Sequence, residues 1–309
     1  MEVPEATVVT YKTTAGWSEF KRIGSHHELN CRPSFACALN KEHTEELVID
    51  AEGEWEVKEK PNWCEIAPSS GKGKTLVKIT IHELSAGSGQ REGEVVFELK
   101  GKEYTTSCKV QQYPSAYQED EIITLQEHTE GNGVNVVFIG DGYSAASIAN
   151  GSYLVNIRNQ VEHFFGLPPF STYRNYFNVY TGISVSPESG IGGLNTIIHN
   201  RFNTTAKGGV VLGGRNGESD YQAIFKYACK VPTVNNDNLN ETLIVMIPNT
   251  EDYGGICYMY DDGAAIAYCP MSDYGYPLDF RGVIQHEAGG HGFGKLGVLC
   301  TTTNSTFYQ

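Results

Sequence analysis

The run VNVVFIGDGYS at 134–144 limits the fold most sharply. It is almost continuously apolar and stops at Gly140-Asp141-Gly142. A strand that does not alternate is buried on both faces, and the Gly-Asp-Gly that follows marks a turn. YFNVYTGISV at 176–185 and TLIVMIP at 242–248 read as two more central strands. Helical patterns fall between them: about 146–165, stopped by Pro168-Pro169-Phe170; 219–230, capped by Ser219 or Asp220; and 280–296. ICYMYDDGAAIAYCP at 256–270 reads as a hairpin turning on Asp-Asp-Gly. This order of strands and helices predicts an α/β or α+β domain.

The first part of the chain has another texture. Segment 46–81 alternates and is broken by Gly, Pro and Ser. VKITI at 77–81, EVVFEL at 94–99 and TTSCKVQQ at 105–112 are strand-like, which predicts a sandwich of short strands. Pro68-Ser69-Ser70-Gly71 reads as a turn. YPSAYQEDEI at 113–122 shifts to Pro, Ser and acid, as linkers do. The expected organisation is an extended leader or first strand at 1–28, a β-sandwich at 29–113, a linker at 114–122, a mixed domain at 123–297 and an atypical tail at 298–309.

Bulk properties exclude several classes. A chain of 309 residues with 40% hydrophobic and 19% charged residues is globular and long enough for about two domains. Its net charge of −14, without a Lys/Arg block, disfavours nucleic acid and anionic membranes as partners. No apolar run is long enough for a transmembrane segment. The N-terminus, MEVPEATVVT, lacks the basic and apolar regions of an export signal. The chain is therefore cytoplasmic, or it begins after a removed signal; its wealth of Tyr, Gly, Asn and Thr favours an exported protein. The eight cysteines include no CxxC pair, which disfavours a zinc ribbon. Cys257 and Cys269 flank the hairpin and can pair across it; the others read equally well as buried thiols. Gly140-Asp141-Gly142 lacks the third Gly and the Lys of a phosphate loop, so Asp141 is expected to shape the turn. GGVVLGGRNG at 208–217 reads as a surface loop near the cleft. Ser144, Ser184 and Ser189 lack the context of a hydrolase nucleophile.

HEAGGH at 286–291 carries the chemistry. In HExxH on an α-helix, both imidazoles meet one metal and the Glu polarises its water. Here His286 and His291 are five apart, which turns them by about 140° in a regular α-helix. A π-bulge, with i→i+5 bonding, returns them to one face, and Gly289 and Gly290 are the residues that can relax into it.

FIGDGYS at 138–144, YRNYFNVY at 173–180, SPESG at 186–190, CYMYDDGAAIAYCP at 257–270 and HEAGGHGFGKL at 286–296 together resemble the IgA-peptidase family of zinc metallopeptidases, over about 120–297. The resemblance implies an α+β chain with a metzincin-like α/β zinc-peptidase domain, a bound Zn2+ and endopeptidase activity on a protein or glycoprotein. It makes His286 and His291 zinc ligands and Glu287 the general base. It places the 256–270 hairpin beside the cleft, with a strand that can pair with extended substrate. Family members read Asp-Glu-Tyr after this helix, the Asp resembling a third ligand. Here Val298 takes that place and VLCTTTNSTFYQ follows, so the domain reads as truncated at its C-terminus; the alternative is that a distant Asp261, Asp262, Asp273 or Asp279 substitutes as the ligand. Segments 55–73, 77–81 and 90–98 resemble a BACON domain, an immunoglobulin-like sandwich with carbohydrate or mucin as its suggested ligand. Trp63 is then a sugar platform, although Trp55 and Trp63 read more readily as core. Two functions follow: a zinc endopeptidase on extracellular glycoproteins such as immunoglobulin or mucin, or an inactive peptidase fold serving as a binding module.

Overall fold

A computed structural model describes residues 2–4, 24–26, 28–32, 35–193, 196–207, 210–212, 221–252 and 254–297. Val298, the tail after it and the cap residues Ser219 and Asp220 lie outside the described residues, as do most of 1–28 and of 208–217. The chain is a strand-rich α+β protein that divides into two compact units. Met1–Gln118 with Ser144–Ala149 makes the first, and Glu119–Tyr143 with Asn150–Gln309 the second.

In the first unit, β1 (Glu2–Pro4) and β2 (Gly24–His26) form a short parallel pair. The strands β3 (Leu29–Arg32), β4 (Phe35–Ala38), β5 (His43–Ala51), β6 (Glu54–Glu59), β7 (Cys64–Ala67), β8 (Ser70–Lys72), β9 (Thr75–Ile81), β10 (Arg91–Leu99) and β11 (Thr105–Gln112) follow. They build two sheets, in the orders β4-β11-β10-β6-β8 and β3-β5-β9-β7. Both sheets face one core, because alternate residues of each strand point inward. Leu47 and Ile49 meet Val77, Ile79 and Ile81 there, with Trp55, Val95, Phe97 and Val110 from the other sheet. Trp55 is fully buried and edge-on to Phe97, with ring centroids 5.8 Å apart. The expected turn at 68–71 instead leads straight into β8. Gly71 lies in that strand opposite Trp55, and a Cβ there would lie 2.8 Å from the Trp55 ring, so the position requires glycine. Trp63 packs against the same core, and the Arg91 guanidinium covers its ring at 4.5 Å.

The second unit is built on a six-stranded sheet of β12 (Ile122–Gln126), β13 (Val134–Asp141), β14 (Phe177–Gly182), β17 (Leu243–Pro248), β18 (Ile256–Met259) and β19 (Ala265–Tyr268), in the order β12-β14-β13-β17-β19-β18. A small hairpin, β15 (Thr205–Lys207) and β16 (Val210–Leu212), forms a sheet of its own. The four central strands are parallel and the two edges antiparallel. All of β14, β17 and β19 is buried, while β12 and β18 are partly open, as edge strands are. Along β13, Val137 and Ile139 point to one face, beside Ile224, Tyr227 and Ala228 of a helix at Tyr221–Ala228. Phe138 points to the other and meets Phe164 edge-on.

The helix expected over 146–165 is two helices, α1 (Ala145–Ala149) and α2 (Ser152–Phe164). Gly151 between them has φ 82°, a left-handed conformation that glycine adopts without cost and that ends a helix. We label Tyr221–Ala228 α3 and Phe280–Ile284 α4. Asp141, fully buried, accepts backbone N–H bonds from Gly142, Phe202 and Thr204 and so shapes the turn after β13.

Candidate functional site

The helix carrying the motif begins at Asp279, whose carboxylate caps α4 by accepting from the N–H groups of Arg281 and Gly282. Burial raises the Asp279 pKa, but the Arg281 guanidinium and the two amides outweigh it and hold the group below the usual carboxylate range. At Gln285 the helix widens and continues as a π-helix to Phe293. Its end shows the i→i−5 bond directly, Gly294 N–H to the Gly289 carbonyl at 3.0 Å. On a π-helix, residues five apart lie close to one face, and that is the spacing of His286 and His291.

Its consequence is convergence. His286 Nε2 and His291 Nε2 lie 3.1 Å apart, and the ligand atoms of His286, Glu287 and His291 all fall within 4.8 Å of one another. Two nitrogens on one tetrahedral zinc at 2.0–2.1 Å would be about 3.3–3.4 Å apart, so the donors fit the ion with little movement. Burial, and then His291, lower the His286 pKa, which favours the neutral ring that a metal ligand needs. Burial pushes Glu287 up to about 7, with His291 opposing it. A carboxyl poised there can take up and release a proton near neutral pH.

Neighbouring elements fix these side chains. The π-helix packs on β17, β18 and β19. Gly292 lets it close on the sheet: a Cβ there would lie 2.7 Å from Leu243. A Cβ at Gly289 would lie 2.9 Å from the Phe170 ring, whereas one at Gly290 would meet only the Gln285 carbonyl at 3.9 Å. Packing thus requires only the first of the two glycines expected to relax. Gly255, just before β18, faces Glu287, and a Cβ there would lie 2.6 Å from Glu287 Cγ. Nothing in the sequence pairs Gly255 with Glu287; the double glycine at 254–255 is its sole trace.

None of the four substitute aspartates joins the cluster. Asp279 is the helix cap, Asp262 accepts the Ala264 N–H in the β18–β19 loop, and Asp273 lines a separate cavity with Asn156, Asn249 and Phe280. Asp261 stands in the same loop as Asp262, outside the cluster. That loop is longer than the Asp-Asp-Gly turn expected, running from Tyr260 to Ala264 and closed by bonds between those two residues and between Gly263 and Tyr260. Cys257 and Cys269 are free thiols rather than a cross-hairpin disulfide. Cys257 stands opposite Ala267, which puts Cys269 on the diagonal. Diagonal partners are about 7–8 Å apart, beyond the Cα separation a disulfide spans. Burial, and then Glu287, raise both thiols, Cys257 to about 12, so neither supplies a thiolate at neutral pH.

The family model for IgA Peptidase M64 matches residues 123–294, more than half the chain. The chain belongs to the IgA peptidase M64 family. The match covers the sheet and the motif helix and ends at Gly294, within the turn after His291. A peptidase activity and a metal cofactor are what this family implies. No curated protein matches the chain. Among solved structures, WR4, a C. elegans MSP family member, is similar at 14% identity over 29% of this chain and 100% of that one, with a TM-score of 0.22. A Bacteroides ovatus GH5 xyloglucanase in complex with a heptasaccharide is similar at 13% identity over 76% of this chain and 38% of that one, with a TM-score of 0.27. Among the described residues no helix is long and apolar enough to cross a membrane.

Proposed function

We propose that this chain is a zinc-dependent endopeptidase acting on extracellular proteins or glycoproteins, with immunoglobulin and mucin as the substrate class. The convergence of two imidazole nitrogens and one carboxylate on the π-helix supports this reading. His286 and His291 would hold Zn2+, which would polarise the scissile carbonyl and acidify the attacking water. Glu287 would take the proton from that water and hand it to the leaving amine, a role its raised pKa suits. The partly open edge strand β18 lies against the motif helix, where an extended peptide can add to the sheet. Family resemblance supports a metzincin-like domain, and composition supports export.

A second reading is a peptidase fold with weak metal binding that serves as a binding module, with a BACON-like sandwich for carbohydrate or mucin. Its support is Val298, an apolar residue where the resemblance implies a ligand, since catalytic zinc sites normally take three protein ligands. Trp63 gives no support as a sugar platform, because Arg91 already occupies its ring face.

Metal analysis after zinc loading, paired with casein and immunoglobulin cleavage, separates the two. The endopeptidase binds about one zinc, loses cleavage to chelators, and as Glu287→Gln keeps zinc but not cleavage. Val298→Asp tightens zinc binding if a third ligand is missing at that position. A chain that takes up no zinc and cleaves nothing sinks the enzyme reading.

A further inference from the structure

After the π-helix the chain folds back on itself. Lys295 has φ 53°, a left-handed conformation unusual for a residue with a Cβ. Its N–H bonds to the His291 carbonyl at 3.1 Å, and the Leu296 N–H reaches the Gly290 carbonyl at 3.1 Å. This resembles the Schellman cap, in which the outer N–H reaches back five residues and a left-handed residue makes the turn. Here the reach is six residues, as the wider π-helix requires. Gly294 is tight against the helix: a Cβ there would lie 2.8 Å from the Gly290 carbonyl.

The turn brings the Leu296 carbonyl to His291 Nδ1, at 2.5 Å. A carbonyl oxygen only accepts, so Nδ1 carries the proton in this bond. In the neutral ring Nε2 is then the lone-pair nitrogen, and Nε2 is the atom that faces His286. We propose that the Gly294–Leu296 turn is a positioning device for the metal centre, with the Leu296 carbonyl locking His291 in the Nδ1–H tautomer and aiming its Nε2 lone pair into the cluster. The inference rests on the zinc-site reading above. The left-handed Lys295 makes the lock, because an extended or helical residue there would carry the carbonyl away from the ring.

The test uses the full chain with 15N-labelled histidine, and His291→Asn to assign its resonances. In chelator-treated protein at alkaline pH, His291 shows a protonated Nδ1 and an unprotonated Nε2. Lys295→Gly, which adopts positive φ freely, keeps that pattern and binds zinc as wild type does. Lys295→Val, whose branched side chain resists positive φ, gives mixed tautomers and about 10–100-fold weaker zinc binding in competition with a chromophoric chelator. Circular dichroism checks that both variants fold. An Nε2–H tautomer in wild type, or unchanged zinc affinity in Lys295→Val, overturns the lock while leaving the zinc site standing. A wild-type chain with the Nδ1–H tautomer that takes up no zinc overturns the zinc reading and supports the lock alone.

Discussion

Gly255 shows how much of the site depends on a residue that carries no chemistry. Its missing Cβ leaves room for Glu287 Cγ, the Tyr268 carbonyl and Val283 Cγ1, each 2.6 Å from where that atom would be. The carbonyl is fixed by the sheet and Val283 by the helix core, so the Glu287 side chain must yield. In Gly255→Ala the carboxylate is displaced while His286 and His291 are untouched. Overpacking of this kind costs about 1–3 kcal/mol of stability. Cleavage should fall through kcat by up to about 100-fold, as misplacement of a reacting group by an ångström does. Zinc uptake should stay at the wild-type level, measured by metal analysis; parallel loss of zinc would contradict this role for Gly255. The motif residues were legible in the sequence because their types and spacing are the chemistry. Gly255 was not, because its partner is 32 residues away and only the fold brings the two together.

At the scale of elements, helical arithmetic was informative. A five-residue gap between two ligand-type histidines fits a single metal only on a π-helix, and that is what forms at Gln285–Phe293. Its start depends on Asp279, which the sequence offered as a metal ligand and the structure uses as a cap. Asp279→Ala should cost about 1 kcal/mol at neutral pH in urea unfolding. The folded pKa of Asp279 is depressed, so its contribution is present above the unfolded value and lost as pH falls through the folded one. The gap between wild type and Asp279→Ala should therefore close in acid, and a gap independent of pH would count against the cap. Strands were easier to read than connections. Continuous apolar runs became the parallel centre of the sheet, whereas the break at Gly151 and the five-residue β18–β19 loop rest on local backbone conformations that periodicity does not report.

For the whole molecule, the two units have separate cores. Phe97 lies wholly within the first, fully buried against Trp55. Phe97→Ala should destabilise that unit by about 3–5 kcal/mol. On the proposed zinc reading the ion would bind the second unit, where the cluster lies, and at 100 times its Kd should stabilise that unit by about 2.7 kcal/mol. Calorimetry of the full chain should then show two movable transitions, the first lowered by Phe97→Ala and the second raised by zinc. A single transition displaced by both would show that the units unfold together.

The sequence by itself determined which strands are buried, that the first part of the chain is all-β, and which three side chains form the cluster. Those features are written in periodicity, spacing and residue type, and each is local. The tertiary structure alone decided that Gly255 makes room for Glu287, that Phe170 requires Gly289, that Arg91 covers Trp63, and that the Leu296 carbonyl reaches His291. Most of these are close approaches between segments far apart in the chain. The last is a turn whose direction depends on one left-handed residue with no sequence signature.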